Sequence, residues 1–167
     1  ISGGSRADEV EIALKACEDY KFYDMLEPEV NYQVKCETKI NRKEYDMSPS
    51  YADKKGYKVY FSSSREESFG SGRDPITGEK YMDIFVAEFD KNGDPTGVAS
   101  IDEDGIINTS EHEGTVCFDK KFKTMYFTRC PNKERMKLGC DIWAVDIVEG
   151  EFTNVRKMKL KSDETVS

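Results

Sequence analysis

A long stretch of this chain is written twice, and that repeat limits the fold more than any other feature of the sequence. The segment INRKEYDMSPSY, starting at Ile40, aligns with INTSEHEGTVCF, starting at Ile107, at one constant offset, so that Ile, Asn and the glutamates at 44 and 111 coincide. Further on, KVYFSSS matches TMYFTRC, setting Tyr60 and Phe61 over Tyr126 and Phe127, and DIFVAEF matches DIWAVDI, setting Asp83 over Asp141. An alternating run stands ahead of each copy, as YQVKCETKIN and GVASIDEDGIIN, and returns after the second as NVRKMKLK, which makes four strands per unit. Short strands in fours, recurring every ~45–65 residues with aromatic anchors, are the sequence form of a propeller blade. Two blades cannot close a ring, so further blades beyond Ser167, or another chain, are expected to cover the faces left open.

The expected fold class is therefore mainly β: two four-stranded blades of an incomplete β-propeller behind one N-terminal α-helix. The blades are expected at about 40–105 and 106–160 within a propeller segment 28–167, with the helix in 1–27. Ser5 to Asp8 form a capping-box pattern, and Val10, Ala13, Leu14 and Cys17 fall on one stripe, which predicts a helix from Arg6 to Lys21 and an exit by Pro28. Such a helix is marginal alone and needs a cover for its apolar side. The copies differ mainly between their second and third strands, where the first inserts REESFGSGRDPITGEKYM. Length variation at one place is loop behaviour, and polar variable loops carry binding. The insertion, Arg65 to Met82, is thus the candidate protein-contact loop, flexible by composition, with Arg65, Glu66, Glu67, Phe69, Arg73, Asp74 and Tyr81 as its candidate contact residues.

Val59, Phe61, Met125 and Phe127 alternate with Tyr60 and Tyr126, so both faces of each blade carry apolar bulk. Trp143 reads as an aromatic packed between blades rather than a ligand platform. Asp83 and Asp141 open the third strands, and Arg65 and Arg129 are their expected partners. Lys157, Lys159 and Lys161 alternate with Met158 and Leu160 like the wet face of a strand.

The net charge of −8 opposes binding to nucleic acid or to an anionic membrane, and no run approaches the ~18 apolar residues of a membrane helix. The chain opens at Ile1 with neither an initiator Met nor a signal peptide, as a processed or excised segment would. Five cysteines without a C-x-x-C pair favour an oxidising compartment over a zinc or thioredoxin-like site. Cys130 and Cys140 bracket a polar loop between two apolar runs and form the expected disulfide. Cys117 reads as a buried small hydrophobe, while Cys17 and Cys36 pair with each other or simply pack. No catalytic residue, metal site or cofactor is expected: the one histidine, His112, aligns with the structural Tyr45, and no nucleophile elbow or phosphate loop occurs. Asp90, Asn92, Asp94 and Thr96 alternate like the start of a calcium loop, but Ile101 stands where a closing Glu is needed, and DKNGDPTG reads as a hairpin turn.

The stretches SPSYADKKGYKVYFSSSRE with DIFVAEFD, and EGTVCFDKKFKTMYFTRC with GCDIWAV, resemble the WD-like propeller repeats of the TolB type. More narrowly they are similar to those of the PorE-like lipoproteins of the type IX secretion system, in which a tetratricopeptide region, a propeller and an OmpA-like domain follow one another. The likeness covers roughly Ile40 to Val148, and the helix is compatible with a last tetratricopeptide helix. It implies a non-enzymatic periplasmic scaffold associated with the outer membrane, with other secretion-system proteins as partners. Peptidoglycan would be bound only through an OmpA-like domain absent here, and membrane association would be indirect or by a lipid anchor outside this segment. Two other readings stay open: a peptide- or ligand-binding propeller accessory to a separate hydrolase domain, and a calcium-binding adhesion module.

Overall fold

The computed structural model describes residues 10–18, 34–131 and 139–159. The expected capping box, both ends of the expected helix, the exit at Pro28, the middle of the cysteine-bracketed loop and the run beyond Lys159 lie outside these residues. The chain divides into two compact units, Ile1–Lys35 and Cys36–Ser167. The first contains helix α1, residues 10–18, every one of them exposed.

The second unit is all β. Strands β1 (Asp46–Tyr51), β2 (Lys58–Ser63), β3 (Asp83–Phe89) and β4 (Pro95–Ser100) form one antiparallel sheet in sequential order. Strands β5 (His112–Phe118), β6 (Thr124–Cys130), β7 (Asp141–Val148) and β8 (Glu151–Lys157) form a second in the same order. The turns arise from short carboxylates that mimic a backbone acceptor. Asp53 accepts the Lys55 and Tyr57 N–H groups between β1 and β2, and Asp119 accepts those of Lys123 and Thr124 between β5 and β6. Asp90 accepts the Asn92 and Asp94 N–H groups between β3 and β4, with Gly93 at φ 83°, so DKNGDPTG is a hairpin turn.

The strand phase differs from that expected of the sequence. The run ahead of the second copy pairs with the first sheet, Val98 opposite Ala87 and Ala99 opposite Val86, and so supplies β4. Its counterpart ahead of the first copy forms no strand over the described residues 34–41, where Ile40 and Asn41 instead donate to the Glu37 carbonyl in a turn. A strand needs a ladder to join, and β4 has one in β3. Likewise the lysine alternation ends with β8 at Lys157, and the Met158 N–H turns back to the Ile142 carbonyl.

Each sheet also carries a bulge at the same place in its first strand, with Ser48 at φ 54° and Thr115 at φ 52° where the register shifts. One extra residue swaps the faces of the strand beyond it. Val116 is buried and Cys117 exposed, which corrects the expectation of a buried Cys117.

The sheets stack face to face. Ile84 of the first packs with Val116, Met125, Phe127 and Val145 of the second and with Ile107 in the segment ahead of it, and Tyr60, Ile101, Phe118, Trp143, Ile147, Phe152 and Val155 close around them. The opposite face of the first sheet has a smaller cluster of Phe61, Phe85 and Ala87, flanked by Ile40, Phe89 and Val98.

Candidate protein-contact loop

The two arginines expected to hold Asp83 and Asp141 hold other acids. Arg65 pairs with Asp46 at 2.8 Å and Arg129 with Glu113 at 2.7 Å, while Asp141 pairs with Lys157 at 2.8 Å. Asp46 and Glu113 share a column of the repeat, and although Arg129 aligns with Ser63 rather than with Arg65, the two guanidinium groups find matching partners. Arg65 also donates to the Ile40 carbonyl and Arg129 to that of Ile107. The Arg42 N–H donates to Asp46 and the Thr109 N–H to Glu113. Each guanidinium lies over two rings, Arg65 above Phe61 and Phe85 at 5.0 and 4.8 Å, Arg129 above Phe127 and Trp143 at 5.5 and 4.6 Å. A cation so placed screens the ring faces while its fork fixes the segment leading into the first strand. Burial disfavours ionised Asp46, but hydrogen bonds from Ser63, the Arg42 N–H and Arg65 outweigh it and hold the carboxyl below its ordinary value. Glu113 is fully buried, and there burial wins and pushes the carboxyl up despite Thr109 and Arg129.

Arg65 is therefore part of the fold rather than of a contact surface. The loop after it, 66–82, spends its polar residues internally. Asp74 accepts the Ile76 and Thr77 N–H groups and its backbone bonds Glu79 and Gly78, so 73–80 folds back as a small hairpin. Lys80 donates to the Ser68 and Gly70 carbonyls. Tyr81 stacks edge-on against His112, 4.6 Å between ring centres, and its ring lies 2.5 Å from where a side chain on Gly72 would begin, so only glycine fits there. His112 accepts the Met82 N–H at Nδ1 and sets Nε2 3.4 Å from Asp74, tying loop and second sheet together. These bonds order a loop whose composition reads as flexible.

Of the seven candidate contact residues, Arg65 and Asp74 are buried and Tyr81 is half-buried, whereas Glu66, Glu67, Phe69 and Arg73 are at the surface. Glu66 and Arg73 form an exposed two-pronged pair at 3.0 and 2.8 Å. Phe69 is 41% exposed and covers Gly105. The most exposed large apolar residue of the loop, Ile76 at 76%, is not among those the sequence singles out; its place at the tip of an Asp-Pro turn is the signal that could have found it. Beside the loop lies a cleft of about 410 Å³ between Arg42, Arg65, Glu67, Phe69, Phe85 and Asp102.

Asp83 accepts the Phe69 N–H through one oxygen, and its other oxygen is buried with no partner among the described residues. Burial, reinforced by the charges of Glu113 and Asp102, pushes this carboxyl up to about 7. Asn108 escapes sequence reasoning as well: wholly buried, it accepts the Ile84 N–H and donates to the Ile84 carbonyl, both at 2.9 Å, and so clamps the head of the second sheet to the third strand of the first. Its column in the repeat, shared with Asn41, is legible; its partner is not.

Cys130 and Cys140 form a disulfide across the connection between β6 and β7. Cys17, Cys36 and Cys117 are free, exposed thiols. Among the described residues no group of three or more His, Cys, Asp or Glu side chains could hold a metal ion, and no helix is long and apolar enough to cross a membrane. In comparisons with known proteins, no family model, no curated protein and no solved structure matches the chain, so a functional reading has to rest on these residues alone.

Proposed function

We propose that this chain is a non-enzymatic scaffold, two blades of a β-propeller that bind other proteins through the loop 66–82. On this reading it works in the periplasm, in a PorE-like component of a type IX secretion system that links outer-membrane machinery to the cell wall. The observation that carries the propeller part is the repetition of one unit: two meanders of four strands with the same bulge and the same arginine–carboxylate cluster, stacked with a back face on a front face. Units related in this way continue around an axis, which is how blades are arranged. The loop is ordered by its inner side and presents Ile76, Phe69 and the Glu66–Arg73 pair on its outer side, an apolar centre with a charged rim. The disulfide supports an oxidising compartment.

The test is crosslinking of the intact protein in its own cells, with the crosslinks located by mass spectrometry. Secretion-system proteins joined to 66–82, and lost in Ile76→Asp, are the expected result. A hydrolase partner at that loop would instead favour the accessory-propeller reading, and no crosslink there would overturn the contact assignment.

A further inference from the structure

The two apolar clusters of the β unit correspond residue by residue. Phe61, Phe85, Ala87, Phe89, Val98 and Ile40 on the front of the first sheet occupy the repeat positions of Phe127, Trp143, Val145, Ile147, Val155 and Ile107 on the front of the second. The second set is completed by three residues from the back of the first sheet: Tyr60, Ile84 and Ile101. Nothing among the described residues completes the first set. The repeat positions of the three missing residues are Tyr126, Ile142 and Met158, which lie on the back of the second sheet, half-buried and in neither cluster. The register supports this match, because Ile142 lies opposite Thr128 as Ile84 lies opposite Ser62, and its carbonyl accepts the Met158 N–H as that of Ile84 accepts the Ile101 N–H.

The first strand and the segment before it agree. Phe118 packs edge-on against Tyr60, 5.3 Å between ring centres, whereas its counterpart Tyr51 is 65% exposed. Asn108 is wholly buried on the Ile84 backbone, whereas its counterpart Asn41 is exposed and, among the described residues, its side chain reaches only the Cys36 sulfur at 3.6 Å.

We infer that the front of the first sheet docks the back of the second sheet of another copy of this chain. In that joint Asn41 clamps the Ile142 backbone, and Tyr126, Ile142 and Met158 pack on Val98, Phe89 and Tyr51, the parts of this face that water still reaches beside the buried Phe61 and Phe85. The chain holds both halves of the joint, and the interface already present between its own sheets shows how they fit. Such a contact is head to tail, so it adds copies until the rotation closes a ring. The inference rests on reading the sheets as blades. The residues it uses lie outside the loop 66–82, so loop binding and self-association can fail separately.

The experiment is sedimentation of the purified chain over a rising concentration series, with two blocked variants. Tyr51→Asp charges the front and Met158→Asp the back, both at positions that water already reaches. Wild type is expected to gain mass with concentration and each variant to stay a monomer. A mixture of the two is expected to form one-to-one pairs, since one partner keeps a working back and the other a working front. Asn41→Ala is expected to weaken association about tenfold, the loss of a paired polar contact. Tyr126→Lys serves as the back-blocked partner if Met158→Asp does not show the wild-type circular dichroism. Monomeric wild type throughout, or a mixture that does not pair, would overturn the inference.

Discussion

The Asp46 side chain is 12% exposed and that of Glu113 not at all, although both sit under an arginine in the same column of the repeat. Removing the cation leaves a carboxylate behind, and the cost depends on whether water can reach it. Arg129→Met is therefore expected to destabilise by about 3–5 kcal/mol. Arg65→Met should cost less, because water reaches the Asp46 carboxylate and does not reach that of Glu113. Urea midpoints of the two variants check the order. Asp83 gives a pH dependence of definite sign. Folded, it keeps its proton up to about pH 7; unfolded, it releases it near the ordinary value of about 4. Folding thus takes up a proton between these values, so this group's share of the stability is intact below about pH 4 and falls by about 1.4 kcal/mol per unit until about pH 7. The difference between Asp83→Asn and wild type, followed by urea titration across that window, should show this slope; equal slopes would refute the assignment.

The connections between second and third strands are where the two sheets part company. In the first a folded loop is held by Lys80, Asp74 and His112; in the second Cys130 and Cys140 span a shorter path. Breaking that bridge in Cys130→Ser should lower stability by roughly 2–4 kcal/mol, with no difference between variant and wild type once both are reduced. Thermal melts with and without reductant make the comparison. At this scale much was legible in the sequence. The aromatic runs that became β2, β3, β6 and β7, the turn at Asp90 and the disulfide were all marked by residue type and spacing. The faces of β5 were not, because the bulge at Thr115 shifts the alternation by one and sends Cys117 outward. Nor were the partners of Arg65 and Arg129. A carboxylate at the start of the first strand and one at the start of the third look alike in a sequence, and only the closing of the ladder decides which a guanidinium can reach. The loop's order was hidden for a related reason, since a polar residue bonded to the backbone reads the same as one bonded to water.

Between the sheets the joint combines an apolar cluster with polar contacts: the Asn108 clamp on Ile84, the Thr115 N–H on Ser62 Oγ and the Glu113 N–H on the Met82 carbonyl. Asn108→Ala would leave the Ile84 N–H without that partner while the carbonyl keeps the Ile101 N–H, and a buried polar group left unpaired costs about 1–3 kcal/mol. Loss at this position strikes the joint while sparing both ladders, so heat should then unfold the sheets in two steps where wild type shows one. Calorimetry, with the change in Trp143 fluorescence as a probe of the second sheet, separates the alternatives. A single unchanged transition would mean that the apolar cluster and the remaining polar contacts couple the sheets without Asn108.

The strictly sequential strand order bears on how the chain reaches this state. Every ladder closes on the strand just made, so no step waits for a distant segment, and the entropy lost in closure is set by connection length alone. The longest connection within either sheet is the 64–82 stretch, and its counterpart in the second sheet is shorter and, once oxidised, already closed. The later-made sheet should thus be the quicker to form, leaving the earlier one to condense on it through Asn108 and Ile84.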